Sequence, residues 1–309
     1  MELLLQLGIF VVGIVVLLWS SDRFVESAEK IGLSFGISPF IIGVTIVAFG
    51  TSLPELATSI AAVLGGEPDI VVSNVVGSNI TNIALVLGLS AVVVKSIDLE
   101  THLWFTDIPM FWGSAFMMWF FVADGRVSIF EACLFFAGIV LFLRYSLKDG
   151  GKEKEEDRPS VSWQAYVFLV IGAALVSVSA TYIISSITEI SAMLDIAPKL
   201  IALTAVALGT SLPEVAVSLN AARRGKASMA VGNALGSNIF NTFVVMSIPR
   251  FFGELTIPED ILTTYLPLMV IMTILLGVMS NNRQISRMEG LLLLLFYAWY
   301  FGQIIESAL

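Results

Sequence analysis

Two glutamates lie where a carboxylate is costly. Glu55 and Glu214 each sit within a long apolar stretch and each closes the same run of residues. The first run is Ala48-Phe49-Gly50-Thr51-Ser52-Leu53-Pro54-Glu55, and the second is Ala207-Leu208-Gly209-Thr210-Ser211-Leu212-Pro213-Glu214. A further shared run follows each: Gly77-Ser78-Asn79-Ile80-Thr81-Asn82 and Gly236-Ser237-Asn238-Ile239-Phe240-Asn241. The offset is 159 residues throughout, and Asn74 and Asn233 obey it too. An ionised carboxylate in hydrocarbon is strongly disfavoured unless it is paired, solvated or protonated. No Lys or Arg lies in these segments away from their ends. The obvious partner left is a bound cation.

The neighbouring oxygens suit a hard cation. Thr51 and Ser52 lie one helical turn before Glu55 and share its face if that turn is helical. Thr210 and Ser211 stand in the same relation to Glu214. Asn74, Ser78 and Asn82 recur every four residues, as do Asn233, Ser237 and Asn241. Hydroxyl, amide and carboxylate oxygens are what Na⁺ and Ca²⁺ need, and no His/Cys cluster points to zinc or copper. Pro54 and Pro213 lack an N–H, so the Gly50 and Gly209 carbonyls lose their helical partners. The residues before each proline are pushed away from helix. Backbone carbonyls near Ala48 and Ala207 are then free to face ions. Gly77 and Gly236 allow close helix approach. Asn79 and Asn238 point away from the polar stripe on an ideal helix, so direct ligation and a supporting role both stay open. Any one Ser, Thr or Asn is equally a helix-to-helix hydrogen bond, but packing does not explain a buried Glu at both equivalent positions.

The elements that must position these residues are membrane helices. Of 309 residues, 57% are hydrophobic and 13% charged, and the mean hydropathy is +0.91. That leaves too little charged surface for a water-soluble protein. Apolar runs long enough to span a bilayer recur throughout. We expect an all-α integral membrane protein with ten transmembrane helices: 4–26, 37–62, 70–94, 103–122, 127–146, 163–187, 197–222, 227–250, 261–280 and 288–306. The first reads as a span and not a cleaved leader, because Glu2 replaces a basic n-region. One polar linker, 148–160, divides the chain into a first membrane repeat, 1–147, and a second, 161–309. It has no calcium-loop spacing and reads as a solvated connector. With both termini outside and the linker cytoplasmic, 13 of the 16 Lys and Arg fall on the cytoplasmic side, a clear positive-inside bias. Five spans per half is odd, so the second repeat enters from the opposite face and the repeats are inverted.

Other classes fit less well. The net charge of −9 offers no basic patch for nucleic acid. No nucleophile–base set accompanies the glutamates, so no enzyme is expected. No cofactor and no obligatory protein partner are inferred; the partners are membrane lipid and the transported ions. A cation channel could use the same oxygens, but inverted repeats favour alternating access. Cys133 and the rings of Trp104, Phe105, Trp112 and Trp119 are expected to pack or to anchor at interfaces, and His102 to be interfacial. The first and sixth spans carry Gly8, Gly13, Gly172, Ala173 and Ala174 without buried charge pairs. They are the expected sliding elements, the alternative being a lipid-facing belt.

The paired Gly-Thr-Ser-Leu-Pro-Glu and Gly-Ser-Asn runs closely resemble the two alpha repeats of the sodium/calcium exchanger family, within the cation/calcium antiporter superfamily. The resemblance covers essentially the whole chain and suggests a compact prokaryotic type. It implies Na⁺ influx coupled to Ca²⁺ extrusion, three Na⁺ per Ca²⁺ and therefore electrogenic. It implies Glu55 and Glu214 as central Ca²⁺ ligands, with Thr51, Ser52, Thr210, Ser211, Ser78 and Ser237 lining Na⁺ sites. The carbonyls of Ala48 and Ala207 would help outer Na⁺ sites, and Asn82 matches an amide position of the family. Asn241 departs from the Asp common in relatives, which argues against K⁺ dependence. A proton-coupled Ca²⁺ antiporter is the alternative, since a buried Glu can also carry a proton.

Overall fold

The computed structural model describes residues 2–99, 108–149, 159–194 and 209–308. These are almost entirely helical: α1 (Glu2–Ser34), α2 (Pro39–Leu64), α3 (Asp69–Val94), α4 (Ile108–Phe121), α5 (Ile129–Asp149), α6 (Trp163–Met193), α7 (Leu212–Arg223), α8 (Ala227–Phe240), α9 (Ile261–Asn282) and α10 (Arg287–Ala308). Among the described residues, seven helices are long and apolar enough to cross a membrane, and α4 is a shorter apolar one. The start of the expected seventh span, most of the linker, His102, Trp104, Phe105 and Ala207 lie outside the described residues. The helices that begin the two expected halves outrun their predicted ends, to Ser34 and Met193. Polar residues continue the helical pattern past the apolar run there.

Local chemistry explains several boundaries. Ser38 caps α2 ahead of Pro39, which occupies a first-turn position where its missing N–H costs nothing. Ser128 and Glu131 form a reciprocal capping box at the start of α5, and Ser286 and Glu289 do the same for α10. Each box follows a short strand. β1 (Ser96–Asp98) pairs antiparallel with β4 (Gln284–Ser286), and β2 (Arg126–Val127) with β3 (Leu255–Thr256). Only α4 separates β1 from β2 among the described helices, so the two ribbons close opposite ends of the bundle.

Burial sorts the helices into two groups. The apolar windows of α2 and α3 are 61% and 78% buried, against 17% for α1 and 28% for α6. A large core joins α3, α4, α5, α8, α9 and α10 through Val75, Phe111, Phe135, Phe240, Met269 and Leu293. A smaller one, with Leu17, Phe24, Ile42, Val176, Ile183 and Val217, holds α1 and α6 against α2 and α7. The packing of α1 along α6 is the most extensive between any two described helices. Gly13 faces Ile183 and Gly172 faces Phe24 without room for a side chain, whereas Gly8 faces open space.

No buried charge pair is found on α1 among the described residues, but partly exposed polar ties are. Asp22 pairs with Arg224 and Glu29 with Lys226, and Asn220 donates to Ser21 Oγ at 2.9 Å. Because α1 continues to Ser34, its acidic residues lie beside the basic turn between α7 and α8. Trp112 is also more than an anchor: it donates from Nε1 to the Thr273 carbonyl at 3.1 Å and packs on Gly277. Cys133, expected to pack, is exposed on α5.

Candidate ion-binding site

The two glutamates reach the protein interior by different routes. Glu55 lies in the middle of a helix that runs on through Pro54. The expected break before Pro54 is absent. Instead the backbone widens to a π-helix over Gly43–Val47, about two turns upstream. Only one hydrogen bond is lost at the proline, and the ladder on either side carries the helix through. In the second copy the break is present: Thr210 and Ser211 form a turn, and α7 begins at Leu212 with Pro213 in its first turn. Glu214 therefore sits at a helix N-terminus, where backbone N–H groups favour negative charge.

Helix crossing brings the segments together. A Cβ on Gly43 would strike the Met229 carbonyl, one on Gly232 the Phe40 carbonyl, and one on Gly236 the Val44 carbonyl. The start of α2 thus lies backbone to backbone against α8. At Gly77 the constraint is looser, with the Tyr300 hydroxyl 3.2 Å from the would-be Cβ.

The polar residues then meet crosswise. Thr51 donates to Asn233 Oδ1 at 3.2 Å and lies 3.5 Å from Ser237 Oγ. Thr210 donates to Asn74 Oδ1 at 3.1 Å and lies 3.2 Å from Ser78 Oγ. These contacts are the same pair of contacts under the 159-residue offset, each made from one half of the chain to the other. Ser52 donates to Glu214 Oε1 at 3.2 Å, which joins the two glutamate turns directly. Asn82 and Asn241 lie one turn further along, held by Asn238 and Asn79. The Ala48 carbonyl lies 3.3 Å from Thr51 Oγ1 within its own helix, an alternative acceptor for the same hydroxyl.

Burial is nearly complete. Glu55, Glu214, Thr51, Ser52, Ser78, Ser211, Ser237, Asn82 and Asn241 are all buried, and Thr210 is half-buried. Six buried side-chain oxygens of these site residues have no protein partner: both of Glu55, Glu214 Oε2, Ser211 Oγ, Asn82 Oδ1 and Asn241 Oδ1. Each such acceptor left empty costs about 1–3 kcal/mol. No ion pair among the described residues includes either glutamate. A cation is the species that answers this arrangement.

A cavity of about 340 Å³ reaches this cluster. Asn74, Ser78 and Thr210 line its inner part, and Asp69 and Asp260 line it at the starts of α3 and α9. Neither aspartate was singled out in the sequence, because each stands at a helix start like any interfacial charge. Ser218 was also missed. It accepts from Asn233 Nδ2 at 2.8 Å and fixes that amide. Ser59 stands at the equivalent position, so the offset itself was the available signal.

A family model for the sodium/calcium exchanger protein matches residues 5–148 and 164–304. The chain belongs to the sodium/calcium exchanger family. Sodium/calcium exchanger MaX1 of Methanosarcina acetivorans is 34% identical over 334 residues, covering 94% of this chain and 95% of that one. An uncharacterized membrane protein of Methanocaldococcus jannaschii is 37% identical over 306 residues, covering 96% of each. The solved sodium-calcium exchanger NCX_Mj, soaked with 10 mM Na⁺ and zero Ca²⁺, matches with a TM-score of 0.87 at 34% identity, covering 97% of this chain and 99% of its own. As a sodium/calcium exchanger family member, the chain is a multi-pass membrane protein of the cation/Ca²⁺ antiporter class.

Proposed function

We propose that the protein moves Na⁺ into the cell down its gradient and drives Ca²⁺ out, by alternating access to one buried site. The observation that carries this is the pair of buried glutamates, Glu214 held by Ser52 from the Glu55 turn, amid buried oxygens with no protein partner. Glu55 and Glu214 are the central Ca²⁺ ligands. Thr51, Ser52, Thr210, Ser211, Ser78 and Ser237 complete the Na⁺ positions, with Asn82 and Asn241 as neutral oxygen ligands. The Ala48 and Ala207 carbonyls serve the outermost ions. Na⁺ and Ca²⁺ are cargo, and no resident cofactor is invoked.

The two halves, 1–147 and 161–309, act as inverted repeats of five spans joined by the cytoplasmic linker 148–160, with both termini outside. In that orientation the Asp69/Asp260 cavity opens outward, and the α1–α7/α8 ion pairs close the cytoplasmic end. Two carboxylates balance one Ca²⁺, whereas three Na⁺ leave one excess positive charge, so exchange is electrogenic. Asn241 in place of Asp makes it independent of K⁺.

The test is Ca²⁺ flux in proteoliposomes under separately imposed Na⁺, K⁺ and H⁺ gradients. Flux driven by Na⁺ alone is expected. Flux that follows H⁺ and ignores Na⁺ would select a proton-coupled antiporter, and flux that needs no counter-ion would select a channel.

A further inference from the structure

Four buried asparagines form a chain between α3 and α8, and the orientation of each amide can be read from what it faces. Asn238 Nδ2 donates to the Asn79 backbone carbonyl at 3.1 Å. A carbonyl only accepts, so the NH₂ end of Asn238 must lie on that side. Its Oδ1 then faces Asn82, which donates from Nδ2 at 3.0 Å. Asn82 Oδ1 is thereby turned the other way, buried and without a protein partner.

The second link has the same logic. Asn79 Nδ2 lies 3.3 Å from Thr242 Oγ1 and 3.6 Å from Met269 Sδ. A thioether sulfur only accepts, so Asn79 must present NH₂ there and Oδ1 on its other side. That oxygen accepts from Asn241 Nδ2 at 3.3 Å. Asn241 Oδ1 is again left buried and unpartnered. Asn79 and Asn238 are equivalent under the 159-residue offset, as are Asn82 and Asn241, so each half locks the amide of the other.

We propose that Asn79 and Asn238 are positioning residues, which hold the amide oxygens of Asn241 and Asn82 toward the transported cation and their NH₂ groups away from it. The proposal rests on the ion site described above. A flipped amide would present N–H donors to the ion, turning an attractive dipole into a repulsive one. The backbone carbonyl of Asn79 and the sulfur of Met269 are the fixed acceptors from which both orientations follow. Neither positioning residue needs to touch the ion.

A carboxylate has two equal oxygens and cannot be misoriented, which supplies the test. Ca²⁺ binding to the full chain in detergent is measured by calorimetry for wild type, Asn238→Ala, Asn82→Asp and the double variant. A parallel set uses Asn79→Ala with Asn241→Asp. Loss of one oriented charge–dipole contact corresponds to about tenfold weaker binding, so Asn238→Ala is expected to weaken Ca²⁺ by that factor in the wild-type background. In the Asn82→Asp background the same change is expected to cost less than about twofold, because no amide remains to orient. Equal losses in both backgrounds, or no loss in either, would make Asn238 a helix-packing residue and overturn the proposal. Wild-type protein that binds no Ca²⁺, or binds it regardless of Glu55→Gln, would instead sink the ion-site reading itself. Should the alanine variants fail to insert, infrared spectra of the unmodified chain with side-chain-¹³C asparagine decide the matter. A Ca²⁺-dependent shift of the amide carbonyl band supports the orientation, and an unshifted band refutes it.

Discussion

At the scale of single residues, the repeated motif made much of the site legible. Glu55, Glu214 and the Thr, Ser and Asn positions around them stand out because each recurs at one offset, and the structure places them on segments that meet. What the sequence could not reveal was who faces whom. Thr51 pairs with Asn233 of the other half and not with Asn74 of its own, which only helix crossing decides. Ala207 was legible as a motif position, but lies outside the described residues. Glu55→Gln and Glu214→Gln each keep one oxygen but delete a charge, and a divalent ion loses twice the Coulomb energy of a monovalent one. Ca²⁺ transport is expected to fall by at least about a hundredfold, equivalent to roughly 3 kcal/mol, with Na⁺ binding less affected; ⁴⁵Ca²⁺ uptake and Na⁺ titration separate the two. Ser52→Ala removes the donor to Glu214 Oε1 and is expected to be milder, costing about tenfold in Ca²⁺ affinity.

At the scale of elements, the long apolar runs announced themselves, but their irregularities did not. The matching prolines suggested matching breaks, yet α2 runs through Pro54 and the break appears only before Pro213. Proline removes one hydrogen bond, and whether a helix survives depends on its neighbours, which a local motif does not encode. The π-turns at Gly43–Val47, Asn82–Leu87 and Asn241–Val245 were equally invisible, although two of them begin on proposed ligand residues. Gly236 was correctly read as a close-approach position. Its substitution by Ala drives a methyl group into the Val44 backbone, which cannot swing aside as a side chain does. Gly236→Ala is therefore expected to destabilise the fold by about 1–3 kcal/mol, seen as a lower thermal unfolding midpoint. Gly77→Ala, opposite only the Tyr300 hydroxyl, is expected to be nearly silent in the same assay.

For the molecule as a whole, composition and the 159-residue repeat disclosed a membrane protein in two related halves. They did not disclose that α1 and α6 lie side by side against the rest, exposing Leu4, Val11, Val12 and Val15 on one and Val170, Ile171 and Val178 on the other. That layout suits a layer that slides. Spin labels on α1 or α6 and on α2 or α7 are expected to change separation between Na⁺- and Ca²⁺-loaded states; distances fixed through transport-competent exchange would place the gate elsewhere. A potential of 100 mV is expected to bias each cycle by about 2.3 kcal/mol for one net charge. Flux unaffected by an imposed potential would indicate neutral exchange.

Among the described residues, the Asp22–Arg224 and Glu29–Lys226 pairs have no counterpart at the positions related by the 159-residue offset. Under the offset the equivalent residues are Thr181, Gly65, Thr188 and Glu67, which cannot form such pairs. In the orientation proposed above, opening the cytoplasmic end breaks these two partly exposed ion pairs, worth together about 1 kcal/mol, and the equivalent positions at the other end hold none to break. The empty carrier is thus expected to spend about five times longer facing outward than pseudo-symmetry alone would dictate. A ligand that finds its competent conformer only part of the time binds with an apparent affinity reduced by that fraction. One and the same set of oxygens would then read as a tight site from outside and a weak one from the cytoplasm. Lys226→Gln is expected to narrow that gap without touching the site, through a lower half-saturating Ca²⁺ concentration on the cytoplasmic face of oriented vesicles. The two faces of the carrier would then differ in affinity through occupancy alone.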